Sequence, residues 1–242
     1  MTSIETGTND LLATKENNVG VLTLNRPEVR NAMSAEMNMA LQEMLVQFET
    51  DPEIRCVVLT GSGKGFCAGG DVKDMQNKKG MFAGESNELR ERYKRGIQKI
   101  PLCMNSLSTP VIAMVNGAAI GAGLDLACMC DLRIAADKAI FGETFAKLAL
   151  IPGDGGTYFL QRIVGFAKAM ELTLTGKIIK SEEALSIGLV NEVCSDSELE
   201  QKTRNVISQI NANAPIAIQM AKRALIHAYR GSLESNLDLL SA

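Results

Sequence analysis

The chain has 242 residues, 46% of them hydrophobic, with a formal net charge of −3 and a pI near 5.4. That length and apolar content support one large domain or a domain with an appendage. The acidic balance excludes a surface built to attract phosphate backbones or anionic lipids, so neither a nucleic acid nor a membrane is the expected partner.

The N-terminus, "MTSIETGTND", is polar and lacks both a basic start and an apolar stretch, which is not the pattern of a secretory signal. No apolar run approaches the roughly 20 residues a membrane helix needs. Cys56, Cys67, Cys103, Cys128, Cys130 and Cys194 lie in apolar surroundings without a C-x-x-C pair, the pattern of buried free thiols rather than disulfides or a metal site. A cytoplasmic location is the corresponding expectation.

In chain order, "NVGVLTLN" (18–25) alternates apolar and polar residues, and "IRCVVLTG" (54–61) is a β-branched run ending in glycine. Both predict strands. Between them, residues 34–49 carry apolar side chains at helical spacing behind Ser34, a good N-cap. A polar, glycine-containing stretch, 75–88, predicts a surface loop or a flap over a site. A helix follows over 88–104, then a strand at 110–117, a small-residue turn, a helix over 123–130, and short strands at "DLRIAA" and "KAIFG". Strands alternating with helices predict an α/β fold. From residue 181 helices dominate: 181–186, 198–211 and 215–229. The last carries an apolar stripe of Ile216, Met220, Ala221, Ala224 and Leu225.

Two segments share one design. In "CAGGD" (67–71) and "NGAAIGAGLDLACMCD" (116–131) an apolar strand runs into small residues and a helix begins. Bare backbone lets a ligand oxygen reach main-chain N–H groups, and the helix start adds positive partial charge. Brought together, the two turns would present two donors to one oxygen, as in an oxyanion hole. The same residues would also serve close helix–sheet packing. Neither segment has the spacing of a phosphate loop.

These segments, with "NRPEVRNAM" (25–33), "GFCAGGDVKDM" (65–75), "IPGDGGTYFLQRIVG" (151–165) and "AMELTLTGKIIKSEEALSIGLVNEV" (169–193), resemble the enoyl-CoA hydratase/isomerase, or crotonase, superfamily over about residues 15–230. The resemblance implies a crotonase-like spiral of repeated ββα units over 1–190 and a C-terminal helical region over 191–242 that forms trimers or paired trimers. It implies chemistry on acyl-CoA thioesters through an enolate, with coenzyme A as part of the substrate and no other cofactor or metal, as in fatty-acid metabolism. Relatives usually continue past the point where this chain stops, so the C-terminal region is expected to be truncated.

Carried over by motif, the oxyanion donors are the N–H groups of Gly70 and Ala122. Residues Ala68, Gly70, Asp71, Val72 and Lys73 should run alongside the coenzyme, with Arg26, Arg30 and Ala32 near its nucleotide end and Phe145 in the acyl pocket. His227, the single histidine, stands alone on a helix, which leaves carboxylates to move protons. The two glutamates of the family's hydratases fall on Asp125, shorter by about 1.5 Å, and on Phe145, which cannot carry a proton. Glu143 and Asp154 are the other candidate acids. Glu143 reads equally as an exposed or capping residue, and Asp154 as a turn or N-cap residue before a helix over 158–164. The residues therefore suit single-carboxylate double-bond isomerisation, with hydration open if Asp125 pairs with Glu143 or Asp154. Thioester hydrolysis, ring cleavage and a non-catalytic coenzyme A-binding scaffold are the alternatives.

Overall fold

A computed structural model describes residues 1–241. The strands are β1 (Thr2–Ile4), β2 (Leu11–Glu16), β3 (Val19–Leu24), β4 (Cys56–Gly61), β5 (Val111–Val115), β6 (Ala119–Ile120), β7 (Leu132–Ala136), β8 (Ile140–Gly142), β9 (Ile178–Lys180) and β10 (Glu192–Cys194). Seven form one sheet in the order β1-β2-β3-β4-β5-β7-β10, antiparallel across β1-β2-β3 and parallel from β3 onward. A second sheet has the order β6-β8-β9, parallel then antiparallel. Strand neighbours follow chain order almost throughout, the arrangement of an α/β fold wound by successive crossovers.

Burial on both faces explains the unbroken apolar runs. In β4, Val57 and Leu59 point into the main core, while Cys56 and Val58 point into a smaller core on the opposite face. Helix α1 (Ala35–Thr50) covers the first face, with Ser34 Oγ accepting the Met37 N–H at 3.0 Å as the predicted cap. On the second face lies α9 (Leu199–Asn211), through Leu199 and Ile207. The remaining helices are α2 (Val72–Gln76), α3 (Ser86–Arg95), α4 (Lys99–Ser106), α5 (Ala122–Met129), α6 (Gly156–Val164), α7 (Phe166–Thr175), α8 (Ser181–Ser186), α10 (Pro215–Ala228) and α11 (Leu233–Leu240).

The single helix expected over 88–104 is two. Gly96 leaves helical geometry (φ −110, ψ −108) and ends α3. Pro101, which has no N–H, is tolerated because it falls in the first turn of the new helix. Helix α6 begins at Gly156, two residues before the expected start. The stripe on α10 is not core: Ile216, Met220 and Leu225 are exposed, as are Ile151, Phe166 and Leu174 elsewhere. All six cysteines are free thiols, four of them buried. Among the described residues no helix is long and apolar enough to cross a membrane.

Candidate active site

The two small-residue turns are stitched together. Cys67 pairs with Ala119 in a parallel bridge, and the Ile120 N–H donates to Cys67 O at 3.0 Å. Gly69 sits at φ +89 with Ile120 O and Ala122 N against it, at 2.7 and 3.2 Å from where a Cβ would lie. No other residue fits this crossing, since the conformation is left-handed and the space is filled. Gly70 and Ala122 are thereby neighbours. Ala122 is the first residue of α5, so its N–H has no intrahelical acceptor. Among the described residues no backbone acceptor pairs with the Gly70 N–H. Two free donors beside each other are what an oxyanion needs.

The residues expected along the coenzyme have mixed fates. Asp71 caps α2, accepting from the Lys73 and Asp74 N–H groups. Arg26 Nη1 donates to Ala32 O at 2.7 Å, and its guanidinium lies 3.5 and 3.6 Å from the Asp10 and Asp71 carboxylates. Arg26 is thus committed to bracing the loop. Arg30, Val72 and Lys73 are exposed, and Ala68 and Gly70 are partly so. Asn31, in the Arg30–Ala32 stretch expected at the nucleotide end, is instead fully buried at φ +57. Its Nδ2 donates to Ser62 O and Gly65 O, both at 2.9 Å, and its Oδ1 accepts the Arg26 N–H. Asparagine tolerates the left-handed region better than most residues, and that was the available signal.

The three candidate acids converge. Asp125 from α5, Glu143 just beyond β8 and Asp154 before α6 are 0%, 1% and 3% exposed. This overturns the readings of Glu143 as exposed or capping and of Asp154 as a cap, since α6 has no side-chain cap. Both oxygens of Asp125, both of Glu143 and Oδ1 of Asp154 are enclosed without a donor. Asp125 is within hydrogen-bonding reach of the other two, so a proton on Asp125 satisfies either neighbour. Burial, then the charges of Asp154 and Glu143, push Asp125 well above the usual carboxylate range. Burial raises Glu143 to about 7, against the hydrogen bond from Asp125. Asp154 is raised by burial and partly restored by the same donor. Asp125 is therefore the proton holder. Gly156 makes the close approach possible, because a Cβ there would overlap the Asp125 carboxyl.

A groove of about 870 Å³ runs past this cluster. Its walls include Met75, Phe82, Leu89 and Tyr93, with Gln98, Leu148, Leu150, Ile151 and Gly153. The stretch 75–88, read as a surface loop or a flap over a site, borders this groove and carries a short helical turn at Gly80–Phe82 and a Glu85–Glu88 capping box. Of the three buried acids, Asp154 is the one joined in the chain to the groove wall, directly after Gly153. Phe145 lies half-buried on a 3-10 turn (Phe145–Leu148), its ring 3.8 Å from where a Gly121 Cβ would be; Leu148 and Leu150 line the groove in its place. His227 is exposed on α10.

A sequence profile of the enoyl-CoA hydratase/isomerase family matches residues 14–241. YngF of Bacillus subtilis (strain 168), whose name assigns it to the enoyl-CoA hydratase/isomerases, is 41% identical over 96% of this chain and 87% of its own length. The short-chain-enoyl-CoA hydratase of Clostridium acetobutylicum is 38% identical over 95% and 85%. Among solved structures, an enoyl-CoA hydratase from Bacillus anthracis superposes with a TM-score of 0.89 at 34% identity, covering 96% of this chain and 88% of that one.

Proposed function

The chain belongs to the enoyl-CoA hydratase/isomerase family, and we propose that its reaction is a proton transfer at the α-carbon of an acyl-CoA, carried by the buried acids beside the groove. The chain is an enzyme of the lyase or isomerase type, with an acyl-CoA as the substrate its family implies. The thioester oxygen accepts from the Gly70 and Ala122 N–H groups, which favours charge building on that oxygen as the α-proton leaves. Asp154, directly after the groove-lining Gly153, takes the proton, and Asp125 and Glu143 hold the cluster's remaining charge in check. The coenzyme lies along Ala68–Lys73 and the loop containing Arg30 and Ala32.

The observation that carries this reading is the convergence of three buried carboxyls, five of whose six oxygens are enclosed without a hydrogen-bond partner among the described residues. Burial at such cost, next to paired backbone donors, supports a working proton site. One acid that takes a proton and returns it two carbons away performs a double-bond shift. Hydration is the second reading, supported by the hydratase among the relatives and by Asp125 as a second proton carrier.

Turnover of 3-hexenoyl-CoA and crotonyl-CoA, followed by absorbance and product mass, separates the two. Reaction of 3-hexenoyl-CoA without mass change, lost in Asp154→Asn, is the expected result. Gain of one water by crotonyl-CoA with Asp154→Asn still active would replace Asp154 by Asp125. The exposed apolar side chains on α7 and α10–α11 support a homotrimer, alone or paired, which light scattering of the purified chain tests.

A further inference from the structure

Tyr93, on α3, belongs to the groove wall and to the loop that carries Asp154 at once. Its ring edge comes within 3.3 Å of where a Gly153 Cβ would lie, so the phenol ring fills the space a side chain would take at the residue preceding Asp154. Gln98 Nε2 donates to Gly153 O at 2.7 Å, and the Gln98 N–H donates to Tyr93 O at 3.0 Å. Tyr93, Gln98 and Gly153 are thus one knot, and all three line the groove. The groove therefore shares a wall with the loop that carries Asp154.

Asp154 is ill provided for as a base. Its Oδ1 is enclosed and accepts from no donor. The titratable groups that face it are Asp125 from α5, Glu143 from beyond β8, Cys67 from the turn after β4, and Tyr93 from α3. Three of these are acids or a thiol raised by burial, and none carries a positive charge. The phenol alone stands on the groove side. Burial and the nearby Asp154 charge both hold it protonated, as a donor.

We propose that Tyr93 is a positioning residue for Asp154, its phenol O–H donating to the Asp154 carboxylate when an acyl group fills the groove, so that Asp154 is the ionised member of the cluster. The inference rests on the reading of Asp154 as the base. Lys94 and Arg90 share the groove wall with Tyr93.

The test is Tyr93→Phe, which keeps the ring against Gly153 and removes only the hydroxyl, assayed beside Asp154→Asn on the full-length chain with 3-hexenoyl-CoA. A hydrogen bond to a carboxylate favours its charged form, so losing it raises the pKa of Asp154. Activity that needs the ionised carboxylate then appears at higher pH. The expected result is a kcat lowered about tenfold at neutral pH, an acid limb of the kcat–pH profile moved up by about one unit, and KM within about twofold of wild type. An unmoved pH profile overturns the proposal, whether kcat is unchanged or KM alone rises; the latter makes Tyr93 only a wall. Wild-type turnover by Asp154→Asn removes the base itself and the proposal with it. Loss in Asp154→Asn with Tyr93→Phe unaffected overturns the tyrosine's role and leaves the base standing. Unchanged thermal unfolding of Tyr93→Phe assigns the kinetic effects to the hydroxyl.

Discussion

The two halves of the site are built in opposite ways. The donors at Gly70 and Ala122 are backbone, each written in a few consecutive small residues and locked by one crossing at Gly69. The acids come from α5, the end of β8 and the loop before α6, and only the tertiary fold makes them a unit. A backbone device tolerates side-chain change but not loss of an N–H. A carboxyl cluster is the reverse: each acid is replaceable by an isostere of the same shape, at the expense of the proton.

Substitutions that break one half and spare the other sharpen the contrast. Asp154→Asn should lower kcat by about 10²–10⁴, the range of general acid–base catalysis, in a chain that still folds; crotonyl- and 3-hexenoyl-CoA kinetics check it. Gly70→Pro removes a donor and should cost about 10²–10³ in kcat. Gly70→Ala retains the N–H and meets the flexible end of Met75 and, less closely, the edge of the Phe82 ring, so it should keep most activity.

Stability answers to the acids in a definite direction. Glu143 keeps its proton to about pH 7 in the folded chain, against an ordinary value of 4.5. Between those values the unfolded state binds fewer protons, so stability should fall as pH rises from about 5 to 7. For Glu143 alone the loss is on the order of 3 kcal/mol, and Asp125 and Asp154 act in the same direction. Calorimetry across that range should show a declining Tm in wild type and a flatter profile in Glu143→Gln. A Tm that rises over the interval would contradict the buried, protonated cluster. Away from both halves, Ser34→Ala should cost about 1 kcal/mol by loss of the α1 cap and leave kinetics untouched, as denaturant unfolding can verify.

The donors were legible because their signal is local. "CAGGD" and "GAG" announce bare backbone, and Ser34 announces its helix. Glu143 and Asp154 were ambiguous because each has an ordinary local reading, a strand-end residue and a turn before Gly-Gly. Their burial depends on Gly156 admitting Asp125, a contact between residues 31 positions apart in the chain. Asn31 and Tyr93 lay further out of reach, since one acts through carbonyls of the next turn and the other through the far side of a groove.

The most direct test is deuterium uptake from D₂O during 3-hexenoyl-CoA turnover, read as product mass, for wild type, Gly70→Pro and Asp154→Asn. A carboxyl that moves the α-proton beside two backbone donors predicts isomerised product carrying deuterium in wild type and none from either variant. Isomerisation or exchange by Asp154→Asn at the wild-type rate would contradict it.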